Sequence, residues 1–455
     1  MRSDFSLCGF YISFDTHLDS GFYRRKIHSR VEVMMLFESF SEAQSVLLWS
    51  GFAIAVVMGA VVNKTNFCTM GAVSDWVNIG DTGRMRAWLF AMAIAMLGVV
   101  ILESMGLLRI NDAFPPYRGG ELVWLENLLG GLMFGVGMTL ASGCGNKTLI
   151  RIGGGNIKSI MVLLIIGVIA YYMVNPLPGT DETLMSLLFY RWMRPTAINM
   201  GASQDLGYLF GGADGAAMAR IIIGAVIVLF VFWFVFKSAE FRKSFDNILA
   251  GVVVGGAVLA AWYVSSVVAV DLDGEIYNLA KYAGDWDFLA DSSAGKPAEI
   301  RSLNPQSYTF INPMGQTVGY AATGFESKYL TFGIMSVFGI ILGSFLWSLI
   351  SKGFRIENFA SFADFRNHFV GAVLMGFGGV LGMGCTIGQA ITGASTLALG
   401  SFITFGAIVL GCALTMKVQY YKMVYEEEAT FMKALLSSLV DLKMLPGSMR
   451  KLDAI

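Results

Sequence analysis

Two stretches of this chain, 241 positions apart, carry nearly the same pattern of glycines, and each contains a cysteine. The first is residues 130–147, GGLMFGVGMTLASGCGNK, and the second is residues 371–388, GAVLMGFGGVLGMGCTIG. Four glycines coincide when the positions are counted back from the cysteine, and the match needs no gap. An ungapped match of this length inside one hydrophobic chain indicates an internal duplication. In a membrane protein, paired hydrophobic segments interrupted by glycine point to a transport site.

The rest of the sequence predicts an all-α polytopic membrane protein. Of its 455 residues, 55% are hydrophobic and only 14% are charged, which is too apolar for a soluble protein of this size. We predict about nine transmembrane helices plus short broken or re-entrant helices, and the short eighth span is predicted to break at Cys385. The predicted spans cover roughly residues 43–62, 86–108, 122–142, 157–174, 218–236, 248–270, 330–350, 369–384 and 396–416.

The composition gives no support to several other kinds of site. The formal net charge is −1 and there is no clustered basic groove, so we expect no nucleic-acid partner. The five cysteines do not form a disulfide framework. None of the three histidines lies beside a cysteine, so a Cys/His zinc site has no local support, and we expect no metal or other cofactor.

The loop charges predict the orientation of the spans. By the positive-inside rule, the loops rich in Lys and Arg face the cytoplasm and the acidic loops face outward. The predicted cytoplasmic loops are 143–158, 237–247 and 351–368, and the predicted outer loops are 175–217 and 271–328. This places the N-terminus outside and the C-terminus inside. Spans 1–4 then match spans 6–9 in opposite orientation, which predicts an inverted internal repeat whose breaks face each other near the bilayer midplane.

This topology divides the chain into five predicted regions. They are a polar N-terminal tail (1–42), a first transmembrane repeat (43–174), an outer loop with a connector helix (175–247), a second transmembrane repeat with its outer loop 271–328 (248–416), and a cytoplasmic C-terminal tail (417–455). The basic residues at 24–30 would lie outside, against the rule. We therefore expect residues 1–34 to be dispensable, either as a tail or as residues upstream of a start at Met34 or Met35.

Three stretches place a cysteine where the helical pattern breaks: residues 63–74, 142–148 and 384–389. Glycines there free backbone N–H groups to point at a ligand, and a helix that restarts after a break offers its positive end to an anion. The competing interpretation is helix packing, for which closely spaced glycines and buried cysteines also serve. Packing is the better interpretation for Cys412, which lies in an unbroken apolar run. The candidate path residues are Cys68, Cys144, Cys385, Asn66, Lys64, Gly143, Lys147, Gly384, Thr386 and Gln389.

Glu103 is the ionisable residue of the second predicted span, six residues before Arg109. An ionisable residue inside a membrane is a functional candidate by default. Its place near the outer end of the span makes a solvated or arginine-paired carboxylate an equal alternative.

With these motifs in view, the chain resembles the YeeE/YedE family of membrane proteins, which have a sulphur transport domain. The resemblance rests on Asn66-Phe67-Cys68, on Gly143-Cys144 after a glycine-rich span, and on the glycine-rich stretch that ends at Cys385, and it extends over most of 45–416. It implies a bacterial inner-membrane permease, not an enzyme, that imports thiosulfate along a path lined by Cys68, Cys144 and Cys385. The long loops 175–217 and 271–328 depart from the family pattern and leave open which sulfur or selenium compound is carried.

Two other functions compete with anion import. Cysteine beside methionine, as at Cys68 and Cys385, is a ligand set that suits Cu(I), which would make the chain a soft-metal permease. A membrane sulfurtransferase that forms a cysteine persulfide is the other, although no histidine base is near the cysteines. A soluble cytoplasmic sulfur-carrier protein is a candidate partner of an importer. The sequence contains no GxxxxGK[ST] motif, so it indicates no primary energy source.

Overall fold

The computed structural model describes residues 34–272, 274–284 and 298–453, and it confirms the all-α polytopic class. Two small sheets, β1-β4-β5 and β2-β3, accompany the helices; β1 runs parallel to β4, and the other two pairs are antiparallel. The helices are α1 (Phe40–Thr65), α2 (Thr69–Ser74), α3 (Gly83–Ser104), α4 (Trp124–Leu140), α5 (Gly145–Gly153), α6 (Ile157–Val174), α7 (Arg191–Met193), α8 (Leu206–Lys237), α9 (Ala239–Lys243), α10 (Phe245–Val267), α11 (Leu279–Gly284), α12 (Ile311–Ala322), α13 (Phe332–Ile350), α14 (Phe362–Leu381), α15 (Leu399–Val424) and α16 (Phe431–Asp441). The strands are β1 (Met35–Phe37), β2 (Glu121–Leu122), β3 (Ile198–Asn199), β4 (Val268–Leu272) and β5 (Glu275–Asn278).

Three of the helices end just before a cysteine, and all three end in the same way. The residue two positions before the cysteine has a positive φ in each case: 54° at Asn66, 56° at Ser142 and 55° at Met383. At each break, the N–H of the residue before the cysteine bonds back to a carbonyl five residues earlier, as in a Schellman cap. The left-handed residue turns the chain out of the helix, so the cysteine leaves the helical path and a short helical segment restarts after it.

The two repeats interlock rather than pack as separate bundles. The helices of the first repeat, α1 to α6, correspond in order to α10, α12, α13, α14, the π-helical segment Ile387–Gly393 and α15. The contact between α1 and α13 has its counterpart in the contact between α10 and α3, and the contact between α4 and α15 in that between α14 and α6. Because these contacts recur with the two repeats exchanged, the two repeats are related by an approximate twofold axis.

Within the described residues, eight helical segments are long and apolar enough to cross a membrane, against about nine in our prediction. The predicted span 369–384 accounts for the difference. It belongs to α14, whose first turns carry Asp364, Arg366 and His368 and therefore lower its hydropathy. As predicted, this helix ends before Cys385. The predicted connector at 218–236 is longer in the structure, as α8, and it is kinked at Gly212 (φ 63°).

Polar contacts tie together the helix ends on one side of the molecule, which we call the basic face. Lys64 at the end of α1 forms an ion pair with Asp246 at the start of α10, with a 2.8 Å distance between Nζ and Oδ1. Lys158 at the start of α6 likewise pairs with Asp364 at the start of α14, at 2.9 Å. Two basic residues of the predicted inner loops, Lys158 and Arg366, lie on the helices α6 and α14 that the second contact joins.

The opposite side, which we call the loop face, carries the strands and the segments 105–120 and 298–310. Here Phe114 N–H donates to the Pro305 carbonyl at 3.0 Å, which joins the two segments. The predicted N-terminal tail lies largely outside the described residues, but its last part forms β1 and the start of α1. The predicted C-terminal tail contains the end of α15 and the helix α16, which packs against it.

Candidate functional site

The three cysteines at the helix breaks occupy equivalent local positions. Cys68 and Cys144 immediately precede α2 and α5, and Cys385 precedes the helical turn that begins at Thr386. All three are buried, with exposures of 5%, 2% and 0%, and all three are free thiols. Each thiol therefore sits at the positive end of a helical segment and away from bulk water.

The breaks at Cys144 and Cys385 meet inside the protein. A Cβ built on Gly145 would lie 3.8 Å from the Cβ of Cys385. Reciprocally, the side chain of Thr386, the residue equivalent to Gly145, neighbours the Cys144 thiol. Cys68 also neighbours Cys144. The structure thus brings the three predicted cysteines to one site, with Cys144 between the other two.

Backbone N–H groups surround the thiol of Cys385. The N–H of Gly388 donates to the Cys385 sulfur at 3.5 Å, and the N–H groups of Phe310 and Ile387 also point at it. These donors come from two chain segments, the turn after Cys385 and the residue before α12. Cys144 has one such backbone neighbour, the N–H of Lys147. Converging N–H groups of this kind form an anion-binding concavity.

Four buried hydroxyl groups around the cysteines have no oxygen or nitrogen partner among the described residues. They belong to Thr69, Tyr117, Thr309 and Thr386. Thr69 and Thr386 directly follow a cysteine of the site, and Tyr117 and Thr309 neighbour Cys385. Buried hydroxyls are nearly always bonded, so a group of unbonded ones indicates a place where a ligand supplies the acceptor.

Of this group the sequence predicted only Thr386 and missed Thr69, Tyr117 and Thr309. The last of these, Thr309, lies over the third break at Gly384. It lies in the extended segment before α12, within the region predicted only as an outer loop. A Cβ on Gly384 would lie 3.0 Å from its hydroxyl oxygen. A usable signal was present, because Thr309 stands 241 positions after Cys68, the same separation that relates the other two cysteines.

The other predicted path residues divide into two groups. Lys147 and Asn66 lie together, with 2.6 Å between Nζ and Oδ1, beside the thiols of Cys68 and Cys144. Lys64 instead pairs with Asp246. The structure therefore gives Lys64 a helix-end contact on the basic face, whereas Lys147 lies beside the thiols.

The remaining predicted residues shape the breaks themselves. Gly384 has a φ of 156°, and the Lys147 side chain packs over Gly143. The amide nitrogen of Gln389 donates to the carbonyl of Gly382, which leaves the buried amide oxygen of Gln389 without a partner. Gln389 therefore helps to hold the third break in its conformation.

Two further candidates have structural partners of their own, although Cys412 also neighbours Cys68 and Cys144. Cys412 lies in the unbroken helix α15 and accepts a hydrogen bond from Thr139 at 3.3 Å, as expected for packing. Glu103 is paired, as one of our two alternatives proposed, but with Arg118 (2.5 Å) and Arg220 (3.4 Å) rather than with the nearby Arg109.

The ion pairs of Glu103 with Arg118 and Arg220 belong to a larger buried network on the loop face, which also includes Asp205. Burial alone would raise the pKa of Asp205, but hydrogen bonds from Arg220 and the nearby charge of Arg118 lower it to about 2. Arg118 also donates to the carbonyl of Thr396 at 2.8 Å. This network therefore fixes the chain just after the helical segment that follows Cys385.

Metal ligands are sparse in the described part of the chain. It contains no group of three or more His, Cys, Asp or Glu side chains that would hold a metal ion. This finding gives no support to the Cu(I) interpretation.

Comparison with known proteins identifies a family and relatives of this chain. The family model described as Sulphur transport matches residues 64–414, a range that includes all three breaks. A thiosulfate transporter, TsuA, of Escherichia coli (strain K12) is 23% identical over 386 residues, which cover 80% of this chain and 92% of the relative. The TsuA thiosulfate transporter of Spirochaeta thermophila is 23% identical over 373 residues, covering 80% of this chain and 97% of that relative.

Proposed function

This chain belongs to the Sulphur transport family, and we propose that it imports thiosulfate, or a closely related small sulfur oxyanion, through a path lined by Cys68, Cys144 and Cys385. The names of its relatives support a transporter of thiosulfate rather than an enzyme. The observation that carries the proposal is the group of buried, unbonded hydroxyls beside the three thiols. These hydroxyls are hydrogen-bond donors without an oxygen or nitrogen acceptor among the described residues, and the oxygen atoms of an oxyanion would be such acceptors.

The thiols are suited to weak, successive binding of an anion rather than to tight binding at one place. A dianion in a membrane interior is very costly unless donors replace its water. Thiol, hydroxyl and backbone N–H groups supply those donors without a fixed positive charge at Cys385. Because a neutral S–H is a weak donor, the anion is held at several successive positions but trapped at none.

The neighbours of each thiol suggest an order along the path. Cys385 contacts the segment before α12, which belongs to the loop face, and Cys144 follows it. Cys68 lies beyond Cys144, near Lys147 on the side of the basic face. The anion would pass from Cys385 to Cys144 and then to Cys68, and Lys147 would attract it toward release.

The direction of transport follows from the orientation that we propose. Lysine and arginine gather on the basic face, which we assign to the cytoplasm of a bacterial inner membrane by the positive-inside rule. The N-terminus then lies outside and the C-terminus inside. The path from Cys385 to Cys68 becomes an import path, and a soluble sulfur-carrier protein would receive the anion at the basic face.

The test is uptake of radiolabelled thiosulfate by proteoliposomes that contain the purified protein in metal-free buffer. We expect saturable uptake that excess unlabelled thiosulfate abolishes and that sulfate reduces less. Uptake of Cu(I) with no uptake of thiosulfate would overturn the proposal in favour of a metal permease. A persulfide detected by mass spectrometry after turnover, without net transport, would favour the sulfurtransferase.

A further inference from the structure

The separation of 241 residues that relates Cys144 to Cys385 also gives Cys68 a counterpart in the second repeat. The residue 241 positions after Cys68 is Thr309, and Asn63 and Asn304 match at the same separation. The segments that follow agree too, because α2 and α12 begin shortly after Cys68 and Thr309. Thr309 therefore occupies, in the second repeat, the position that Cys68 occupies in the first.

The aromatic residues next to these two positions pack in the same way. Phe67, just before Cys68, stacks on Trp88 of α3 with 4.4 Å between the ring centroids. Tyr308, just before Thr309, stacks on Phe332 of α13 at 5.5 Å. Because α3 and α13 are equivalent helices, the spatial equivalence of the two sites does not depend on the sequence match alone.

We propose that Thr309 is the fourth substrate-contacting position of the path, at its loop-face end, where a hydroxyl instead of a thiol recognises the oxyanion group. This inference rests on the proposed function and deepens it. It assigns the recognition of oxygen atoms to Thr309, whereas Cys385, Cys144 and Cys68 carry the anion onward.

Among the described residues, the only hydrogen-bonding group beside the Thr309 hydroxyl is the weakly accepting Cys385 sulfur. The hydroxyl oxygen is buried and has no oxygen or nitrogen partner among the described residues, and the side chain neighbours the Cys385 thiol. It lies over Gly384 and Gly388, where a Cβ would crowd it. The N–H of Phe310, the next residue, points at the same sulfur. An anion bound at Cys385 would therefore meet the hydroxyl and the N–H groups together.

A polar cleft on the loop face reaches Thr309. The cleft is narrow, with about 20 Å³ of space for water-sized molecules, and part of it is open to solvent. Its polar lining side chains are Gln306, Ser307, Thr309, Asn312, Gln316 and Ser336. Among the described residues, no carboxylate side chain belongs to this lining, and the acidic neighbour Glu299, in the adjoining cleft, accepts a hydrogen bond from the lining residue Gln316.

The replacement of a thiol by a hydroxyl has a chemical consequence. An O–H group is a stronger hydrogen-bond donor than S–H, and bonds to a charged acceptor are among the stronger ones. Thr309 should therefore bind the hard oxygen atoms of the anion more tightly than a cysteine would. The path begins with a position selective for oxyanions and continues with positions that suit a soft sulfur atom.

The experiment compares Thr309→Val and Thr309→Ser with wild type in thiosulfate uptake by proteoliposomes. Valine keeps the shape and removes the donor, and serine restores the donor. Loss of one hydrogen bond to an anion should raise the half-saturating thiosulfate concentration about tenfold or more in Thr309→Val. Thr309→Ser should stay within about twofold of wild type. The matched control is Thr415→Val, because the Thr415 hydroxyl already donates to the Gly411 carbonyl at 2.7 Å within α15.

Thermal stability of the purified variants separates a ligand role from a packing role. Removing an unbonded buried hydroxyl should leave the melting temperature of Thr309→Val unchanged or raise it. Normal half-saturation in that variant, or a loss that Thr309→Ser does not restore, would overturn the inference while wild-type uptake still upheld the proposed function. Absence of thiosulfate uptake by wild type would instead overturn the proposed function, and the inference with it.

Discussion

Gly137 and Gly371 touch through their backbones at the centre of the molecule. A Cβ on Gly137 would lie 2.7 Å from the Gly371 carbonyl oxygen, and a Cβ on Gly371 would lie 2.6 Å from that of Gly137. The symmetry-related pair, Gly130 and Gly378, meets in the same way, with a Cβ on Gly378 at 2.6 Å from the Gly130 oxygen. The two contacts show that α4 and α14 run antiparallel. The two breaks follow opposite ends of this helix pair, so the contact between Gly145 and Cys385 forms between the segments beyond the helix ends.

The first prediction concerns this helix contact. Gly137→Ala should destabilise the protein by about 1–3 kcal/mol, because the new methyl group meets a backbone oxygen that cannot rotate away. The measurement is the melting temperature in detergent. Gly256→Ala is the control, since a Cβ there would have no atom within 4 Å, and it should be neutral or slightly stabilising. Equal melting temperatures of the two variants would contradict the importance of the contact.

The second prediction concerns the thiols. Cys144→Ala and Cys385→Ala should each lower thiosulfate uptake about tenfold, a loss of about 1.4 kcal/mol, while folded protein stays near the wild-type amount. The reason is that alanine removes a donor from a break but little volume. Uptake is measured per folded molecule in proteoliposomes. Cys412→Ala serves as the control because Cys412 lies in an unbroken helix. If all three variants transport alike, the cysteine-lined path loses its support.

The third prediction concerns pH and Glu299, which lies on the loop face and accepts a hydrogen bond from Gln316 at 2.7 Å. Burial raises the pKa of Glu299, although the Gln316 bond lowers it in part. The folded state therefore binds this proton more tightly than the unfolded state does. The ionised form of Glu299 lowers the stability of the folded protein. The free energy of unfolding should therefore rise as the pH falls through the folded-state pKa of Glu299.

The same proton should affect transport, because Glu299 and Gln316 line a second cleft next to the polar cleft at Thr309. Deprotonated Glu299 repels an approaching anion, so uptake should rise as the outside pH falls below the raised pKa of this carboxyl. Glu299→Gln should flatten that pH profile and keep the low-pH rate. Glu326→Gln, at an exposed carboxylate of the same face, should retain the wild-type profile. A profile that Glu299→Gln leaves unchanged would refute this account.

The fourth prediction concerns the buried pair of Glu103 and Arg118. Glu103→Gln should destabilise the protein by about 2 kcal/mol, because it leaves the Arg118 guanidinium, only 1% exposed, without its main counter-charge. The partial exposure of Glu103 and the second arginine limit the loss. Chemical or thermal unfolding measures it, with the exposed Glu326→Gln as the control, which should change stability little. Comparable stability of both variants would mean that the pair contributes nothing.

The sequence predicted much of this fold because the decisive signals are local. Long apolar runs require spanning helices, and a glycine-rich run that ends in Gly-Cys marks a break wherever it occurs. The duplicated pattern around Cys144 and Cys385 and the ends of α4 and α14 could therefore be located without a structure. The charged first turns of α14 explain why one predicted span falls short of the hydropathy of a full one.

Contacts between distant residues depended on tertiary structure. Glu103 has Arg109 six residues away, yet it pairs with Arg118 because the segment after α3 folds back over the helix end. Thr309 carries no motif of its own, and only the meeting of its segment with the break at Cys385 makes its hydroxyl a donor without a partner. Periodicity and composition predict the secondary structure and the membrane span of each segment. The hydrogen-bond partner of a buried polar atom depends instead on the segments that pack around it.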